Sequence, residues 1–422
     1  MNTRKLLLIT PLMLGLAAAC QAETTSAVVE NNLQQHKNFR AELDFSNQNE
    51  WYRELRISDW KSLGLIEADL QSVLPRIHGD GPLRDSTNEN NAGQWTFEWS
   101  RQAVSVALIA DKESRKTKAA ELYQRASTLY LIASYPNLLT DHEQAALAKS
   151  VTFYIKAAQL KGERVSAVRL PLSSGGSVNG LLHLPTQVTQ VTGVIKSRAE
   201  NWPVVLWSGG SDITLVEHKR SIADYVAEGY GVVTFDIPGG GLNKGLKIQP
   251  GKESQVHDAA LQFVRESPIL DENRVAALTS SAGGVSLMEF TLKNPQLKAV
   301  VARCTLVDGV LTEPDKIQFL PDMTVDSFLA RLGVNYQTLD NPGVITRPLS
   351  LKTKGYFDGQ TRTDVPLLVI NTKDDPIASP KDMQATAAMS SRGEVAYFGE
   401  RGHCPESDAA ESRIYAFITG QL

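Results

Sequence analysis

The stretch Val275-Ala-Ala-Leu-Thr-Ser-Ser-Ala-Gly-Gly284 constrains this chain more than any other. Residues 275–278 form a short apolar run of buried-strand type, and Val285-Ser-Leu-Met-Glu-Phe-Thr-Leu292 reads as a helix. Only small residues lie between them, so the backbone must turn sharply from strand into helix. A serine at the tip of such a corner is a nucleophile elbow. The turn is strained, its flanks must be small, and the hydroxyl is held above the sheet. With Ser281 at the tip the flanks are Thr279 and Gly283; with Ser280 they are bulky Leu278 and Ala282, which suits a crowded turn less well. Ser281 is the expected nucleophile. The Ala282 N–H, at a helix N-terminus, is an expected oxyanion donor. Thr279 stands where glycine is usual, and a glycine-containing turn of an ordinary α/β protein is the plain alternative.

The rest of the chain is consistent with such a corner. Apolar strands recur at 202–207, 231–236, 298–304, 365–370 and 394–398, with helical segments between them at 217–227, 253–266 and 285–292 and a last one at 407–422. Alternating strands and helices require a mostly parallel, doubly wound sheet. Residues 163–184 alternate in polarity around Ser173-Ser-Gly-Gly-Ser177, the pattern of an antiparallel hairpin that opens the sheet. The fold class is therefore α/β, of the α/β-hydrolase type, with the hydrolase domain at 163–422.

Before it, residues 49–162 read as helical. Two long amphipathic segments, 114–134 and 141–161, form a helical hairpin, with Thr140 and Glu143 placed for a capping box. One such pair is too short for a repeat array, so an appended cap is expected. Residues 23–48 are polar and read as a tether. Residues 1–22 combine Arg4-Lys5, an apolar run and small residues, the pattern of an export signal too short to span a bilayer. Leu16-Ala-Ala-Ala-Cys20 resembles a bacterial lipobox, with leucine one place early, so Cys20 is a candidate lipidation site and a lipid anchor to the membrane a candidate contact. Cleavage after Ala19 or Ala22 without lipidation competes. The expected location is the periplasm or a membrane-anchored position outside the inner membrane. There Cys304 and Cys404 meet an oxidising environment in which they can pair, although Cys404 also reads as a small wall residue. A formal net charge of −4 without a basic stripe argues against nucleic acid as a partner.

A serine needs a base, and the base an orienting acid, which in this fold follow in the order Ser, Asp, His. After the 365–370 strand comes Asn-Thr-Lys-Asp374-Asp375-Pro-Ile-Ala-Ser-Pro380; Asp375 is the expected acid, with Asp374 second. After the last strand comes Gly399-Glu-Arg-Gly-His403-Cys-Pro, which makes His403 the expected base. His142, His218 and His257 lie in helical segments, His78 at a helix end, His183 in a strand and His36 in the tether; His218 remains a wall candidate. Ser208-Gly-Gly-Ser-Asp212 follows the 202–207 strand, and Gly210 or Ser211 is expected to pair with Ala282 in an oxyanion hole. Gly239-Gly-Gly241 lacks the Gly-Lys-Ser/Thr ending of a phosphate loop and reads as a turn at the rim of the site. No spacing points to a metal, and this chemistry calls for no cofactor.

From Trp51 onward the chain resembles the fermentation–respiration switch protein (FrsA) family of α/β-hydrolases. The resemblance rests on Trp51-Tyr-Arg-Glu-Leu-Arg56, Gly93-Gln-Trp-Thr-Phe-Glu-Trp99, Ser134-Tyr-Pro-Asn-Leu138, Gly209-Gly-Ser-Asp212, Ser350-Leu-Lys352 and Asp375-Pro-Ile-Ala-Ser-Pro380. It implies hydrolysis of a small-molecule carboxylic ester. Related enzymes with a similar helical segment cleave carbon–carbon bonds in β-diketone-type substrates, which keeps that bond as an alternative. A non-catalytic regulatory or binding protein on the same fold is another. The export signal and Thr279 depart from the family pattern. The Trp95 and Trp99 cluster reads either as a lid over the site or as glue between helix and sheet.

Overall fold

A computed structural model describes residues 56–77, 92–135, 140–186, 201–313, 328–333, 343–400, 402–405 and 407–422. The expected tether, export signal, Cys20, His36, His78 and the Trp51–Leu55 part of the resemblance lie outside the described residues.

The N-terminal helices are α1 (Arg56–Leu63), α2 (Glu67–Val73), α3 (Trp95–Lys112), α4 (Lys116–Ala133) and α5 (Asp141–Lys161). The Thr140 hydroxyl accepts the Glu143 N–H at 3.2 Å, and the Glu143 carboxylate accepts the Thr140 N–H at 3.1 Å, so the capping box forms and sets where α5 begins. Where a hairpin was expected from two long segments, three long helices pack together, because α3 runs on to Lys112. Its buried face continues past Trp95 and Trp99 through Ala103, Val106, Ala107 and Ala110. Trp60, Trp95 and Trp99 are fully buried in this layer's own core, which also takes in Val165, Leu181, Leu215 and Val216 of the sheet domain. The tryptophans therefore lie in a core that the helices share with the sheet domain.

The sheet has strands β1 (Arg164–Pro171), β2 (Ser177–Leu184), β3 (Trp202–Ser208), β4 (Gly231–Phe235), β5 (Leu270–Ser280), β6 (Ala299–Arg303), β7 (Leu367–Asn371) and β8 (Gly393–Tyr397). Their order is β1-β2-β4-β3-β5-β6-β7-β8. β1 and β2 are antiparallel to each other, β2 is antiparallel to β4, and the remaining pairs are parallel. β5 begins well before the apolar run at 275–278, at Leu270, which pairs with Trp202. Helices α6 (Lys219–Ala227), α7 (Gln255–Glu266), α8 (Gly284–Lys293), α9 (Pro380–Ala387) and α10 (Asp408–Thr419) complete the layers.

Alternation along the strands sorts the apolar side chains to two faces. Val204, Leu206, Ala277, Val300 and Val369 point into the core under α7, α8 and α9. Val205, Ala276, Val301, Leu368 and Ile370 point into the core under α6 and α10. Strands buried on both sides must be apolar throughout, as these are. Parallel strands leave all their C-terminal ends at one rim, which is where such sheets place ligand chemistry. No described helix is long and apolar enough to cross a membrane.

Candidate functional site

At that rim β5 ends at Ser280, and residues 281–283 make one tight turn before α8. Ser281 has φ +48°, a left-handed conformation that costs a non-glycine residue about 1–3 kcal/mol. Gly283 cannot be larger, since a Cβ there would run into the Thr279 hydroxyl. Thr279 is fully buried, with Oγ1 2.6 Å from Ser208 Oγ. Its side chain thus fills space that a larger residue at 283 would claim, which explains how this elbow accepts a threonine where glycine is usual.

The three expected triad side chains are brought together. His403 Nε2 lies 2.9 Å from Ser281 Oγ, and His403 Nδ1 lies 2.8 Å from Asp375 Oδ2. Asp375 is buried; its other oxygen accepts the N–H groups of Ile377 at 2.8 Å and Ala378 at 3.0 Å, which fixes the carboxylate. Asp374, the second choice, is exposed, and its N–H donates to the Glu400 carbonyl. With Nδ1–H donating to Asp375, Nε2 is free to accept from the serine.

The histidine loop is tied to the acid loop and to β6. The Thr372 hydroxyl donates to Gly402 O at 2.5 Å, and Lys373 N–H donates to Gly399 O at 3.2 Å. Arg303 donates to the Pro405 carbonyl, and through its other nitrogen to Glu411 at 2.6 Å. Cys404 is disulfide-bonded to Cys304, with the Cα atoms 5.0 Å apart. Cys304, His403 and Cys404 form the one described cluster of metal-ligating type, and the bridge uses both of its sulfurs. Among the described residues Ser281, Cys304 and Cys404 are the non-glycine residues with positive φ, so backbone strain is concentrated at this rim.

Gly210 packs directly on Ser281: a Cβ there would stand 2.9 Å from Ser281 Cβ. Glycine allows the main chain this close. Beyond it, Thr214 N–H donates to Glu217 Oε1 at 2.8 Å, and Leu215 N–H donates to Asp236 Oδ1 at 2.9 Å. Glu217 is paired with Arg56 from α1, whose guanidinium lies 5.7 Å from the Trp60 ring and 5.8 Å from the Tyr135 ring. The helical layer therefore reaches the oxyanion loop through a buried ion pair. Nothing in the sequence distinguished Arg56 or Glu217 from ordinary surface charges.

His257 sits beneath the elbow, its Nε2 3.2 Å from Ser208 Oγ, between the rings of Phe235 and Phe290. Burial pushes its pKa down to about 3 and keeps it neutral. His218, the wall candidate, stacks on Trp207 at 4.8 Å and borders a hollow of about 800 Å³ that is also lined by Arg56, Glu217, Arg303 and Glu411. Ser281 does not border that hollow. His142 and His183 lie away from the triad, the latter buried in β2 against Tyr154. A second, small apolar hollow borders Ala282; Val285, Leu306, Leu311, Phe328 and Leu349 line it.

This chain is similar to known hydrolases in sequence and in fold. The family described as "Esterase FrsA-like" matches residues 15–402. Esterase FrsA of Yersinia pestis (strain Pestoides F) is 27% identical over 383 residues, which is 88% of this chain and 89% of that protein. Esterase FrsA of Yersinia pseudotuberculosis (serotype O:1b, strain IP 31758) matches to the same extent. Among solved structures, wild-type AbyA5 superposes with a TM-score of 0.65 at 18% identity, over 87% of this chain and 95% of that chain. The 2,6-dihydroxy-pseudo-oxynicotine hydrolase superposes with a TM-score of 0.64 at 17% identity, over 87% and 96%. An α/β-hydrolase sheet with a helical layer at its N-terminal side, matched by the family over most of its length, makes this chain a member of the FrsA-like esterase family.

Proposed function

We propose that this chain is a serine hydrolase of carboxylic esters. One observation carries the proposal: the hydrogen-bonded line from Ser281 Oγ through His403 to buried Asp375. Ser281 Oγ attacks the ester carbonyl carbon while its proton passes to His403 Nε2, and Asp375 stabilises the imidazolium. The carbonyl oxygen becomes an anion facing the Ala282 N–H and that of Gly210 or Ser211. The tetrahedral centre then collapses, the carbon–oxygen bond to the alcohol breaks, and the alkoxide leaves with the proton from Nε2. Water repeats the attack on the acyl-enzyme with the same base, which frees the acid and restores Ser281. These steps use the chain's own groups and water.

Ser281→Ala should keep the wild-type melting temperature. It should lose about 10⁴–10⁶ of p-nitrophenyl ester turnover, together with fluorophosphonate labelling. Retained turnover would place the nucleophile elsewhere, and a wild type that neither labels nor turns over would favour a binding role for the fold. β-Diketones assayed alongside the esters decide which bond the site cleaves.

We further propose that the mature chain is exported and carries lipid on Cys20. The Cys304–Cys404 bridge supports export, because such bridges persist in oxidising compartments. Palmitate label should enter the wild type and be absent from Cys20→Ala; an unlabelled wild type would refute the anchor.

A further inference from the structure

We infer that Arg331 is a positioning residue for the oxyanion loop, holding the Gly210 and Ser211 peptides in place against the nucleophile. The inference rests on the serine-hydrolase proposal above. Arg331 lies in a short helical stretch at 328–331, and its main-chain oxygen accepts the Ile248 N–H at 2.9 Å. Two glycines make room for it. A Cβ at Gly239 would stand 2.9 Å from both the Cβ and the carbonyl oxygen of Arg331, and one at Gly240 would stand 3.4 Å from its Cζ. The third, Gly241, packs on the Asp236 carboxylate, the same group that accepts Leu215 N–H from the oxyanion loop. The Gly239-Gly-Gly241 run is thus the bed on which this arginine lies.

From there the side chain, 1% exposed, reaches the loop: Nη1 donates to the Gly210 carbonyl at 3.2 Å and Nη2 donates to the Ser211 carbonyl. Burial lowers the guanidinium pKa to about 10, which leaves it charged at neutral pH. Two consequences follow from ordinary peptide geometry and electrostatics. In a trans peptide the C=O and the next N–H point opposite ways, so a Gly210 carbonyl held on Arg331 turns the Ser211 N–H away from the guanidinium. Gly210 is also the residue that touches Ser281, so the peptide fixed in this way is the one beside the nucleophile. A charged donor on the carbonyl also polarises the peptide and strengthens its N–H as a donor to a developing anion. Burying a guanidinium is costly. Here that cost is borne at a loop whose amides must not reorient when the oxyanion forms.

The test compares wild type, Arg331→Lys and Arg331→Met on a p-nitrophenyl ester, with inhibition by an alkylboronic acid that mimics the tetrahedral adduct. Folding is followed by thermal melting. For Arg331→Met we expect kcat to fall about 10²-fold, the size of one lost oxyanion donor, with KM within about threefold. Boronate affinity should fall in step with kcat/KM, and the lysine variant should retain more of both. A folded Arg331→Met with kcat within about threefold of wild type would overturn the inference, as would a loss confined to KM. If neither arginine variant folds, Gly240→Ala replaces them, since its Cβ would stand 3.1 Å from the Ile237 oxygen and crowd Arg331. A drop in kcat at constant KM is then expected, and wild-type kcat overturns. Fluorophosphonate labelling of wild type at Ser281 separates the two levels. If wild type labels and the Arg331 variants are unaffected, only this inference fails; if wild type does not label, the underlying proposal fails with it.

Discussion

Two loops meet at Ser281, and they are held by different combinations of contacts. The oxyanion loop, residues 209–217, is sunk in the protein and clamped by buried charge: Arg331 on its carbonyls, Asp236 on Leu215 N–H, and Glu217 with Arg56 on Thr214 N–H. The histidine loop, residues 399–405, is exposed at Gly399 and Glu400 and only partly buried at His403. It is held by main-chain bonds from Lys373 and Asp374, by the Thr372 hydroxyl and the Arg303 guanidinium on its carbonyls, and by the Cys304–Cys404 bridge. A loop whose amides must stay oriented can lie in a low-dielectric interior, where ion pairs are strong once formed. His403, which in the proposed reaction passes protons to a departing alcohol and a water, sits nearer solvent. There, burial is thinner and a covalent tie adds to the hydrogen bonds.

The comparison breaks first at the bridge. Cys304→Ser with Cys404→Ser, or reduction of the wild type, opens a loop of 100 residues and should lower the unfolding free energy by about 2–5 kcal/mol. Because the bonds from Thr372, Lys373 and Arg303 remain, kcat should fall no more than about tenfold. Denaturant melts and ester kinetics with and without reductant check both; an unchanged melt would mean that the hydrogen bonds alone hold the loop.

The ionic side is sharpened by Arg56→Met, which strands the Glu217 carboxylate and should cost about 3–4 kcal/mol, with some loss of kcat through Thr214. Pairing it with Glu217→Leu should recover much of that loss. A double variant as unstable as the single would show that the pair is not the clamp.

A third effect is on pH. His257, under the start of the oxyanion loop, has its pKa lowered from 6.5 to about 3 by burial. The unfolded chain takes up this proton below about 6.5 while the folded chain refuses it until about 3. The associated stability is therefore complete above pH 6.5 and drains away as the pH falls, by about 1.4 kcal/mol per unit. His218, lowered likewise to about 3 by burial and by the charge of Arg303, adds to the same slope. In His257→Gln, denaturation free energies measured between pH 6 and pH 4 should show a shallower slope. An equal slope would assign the acid sensitivity elsewhere.

How much of this was legible in the sequence differs between the two loops. The histidine loop was readable, because its signals are local: a strand end, glycines around His403, and a chain order that leaves few histidines to choose from. The oxyanion loop was readable only at Ser208-Gly-Gly-Ser211. Arg331, which bonds two of its carbonyls, sits in a stretch with no periodic pattern, and Arg56 looks like any helix-surface cation. Gly239-Gly-Gly241 did show, as a turn at the rim, but the reason for the glycines lies in an arginine roughly ninety residues further on.

Strand alternation, the capping box at Thr140, the elbow at Ser281 and the hydrolase fold were determined by sequence alone. The first three depend on backbone sterics and side-chain period over a dozen residues or fewer, and the fold on the order in which strands and helices alternate along the chain. Tertiary structure alone decided that two buried arginines grip one loop; it also turned Asp375 inward, the sequence's first choice, and joined Cys304 to Cys404, which the sequence had offered as able to pair. Those outcomes depend on which distant surfaces the folded sheet brings within a few ångströms, and no local pattern encodes that distance.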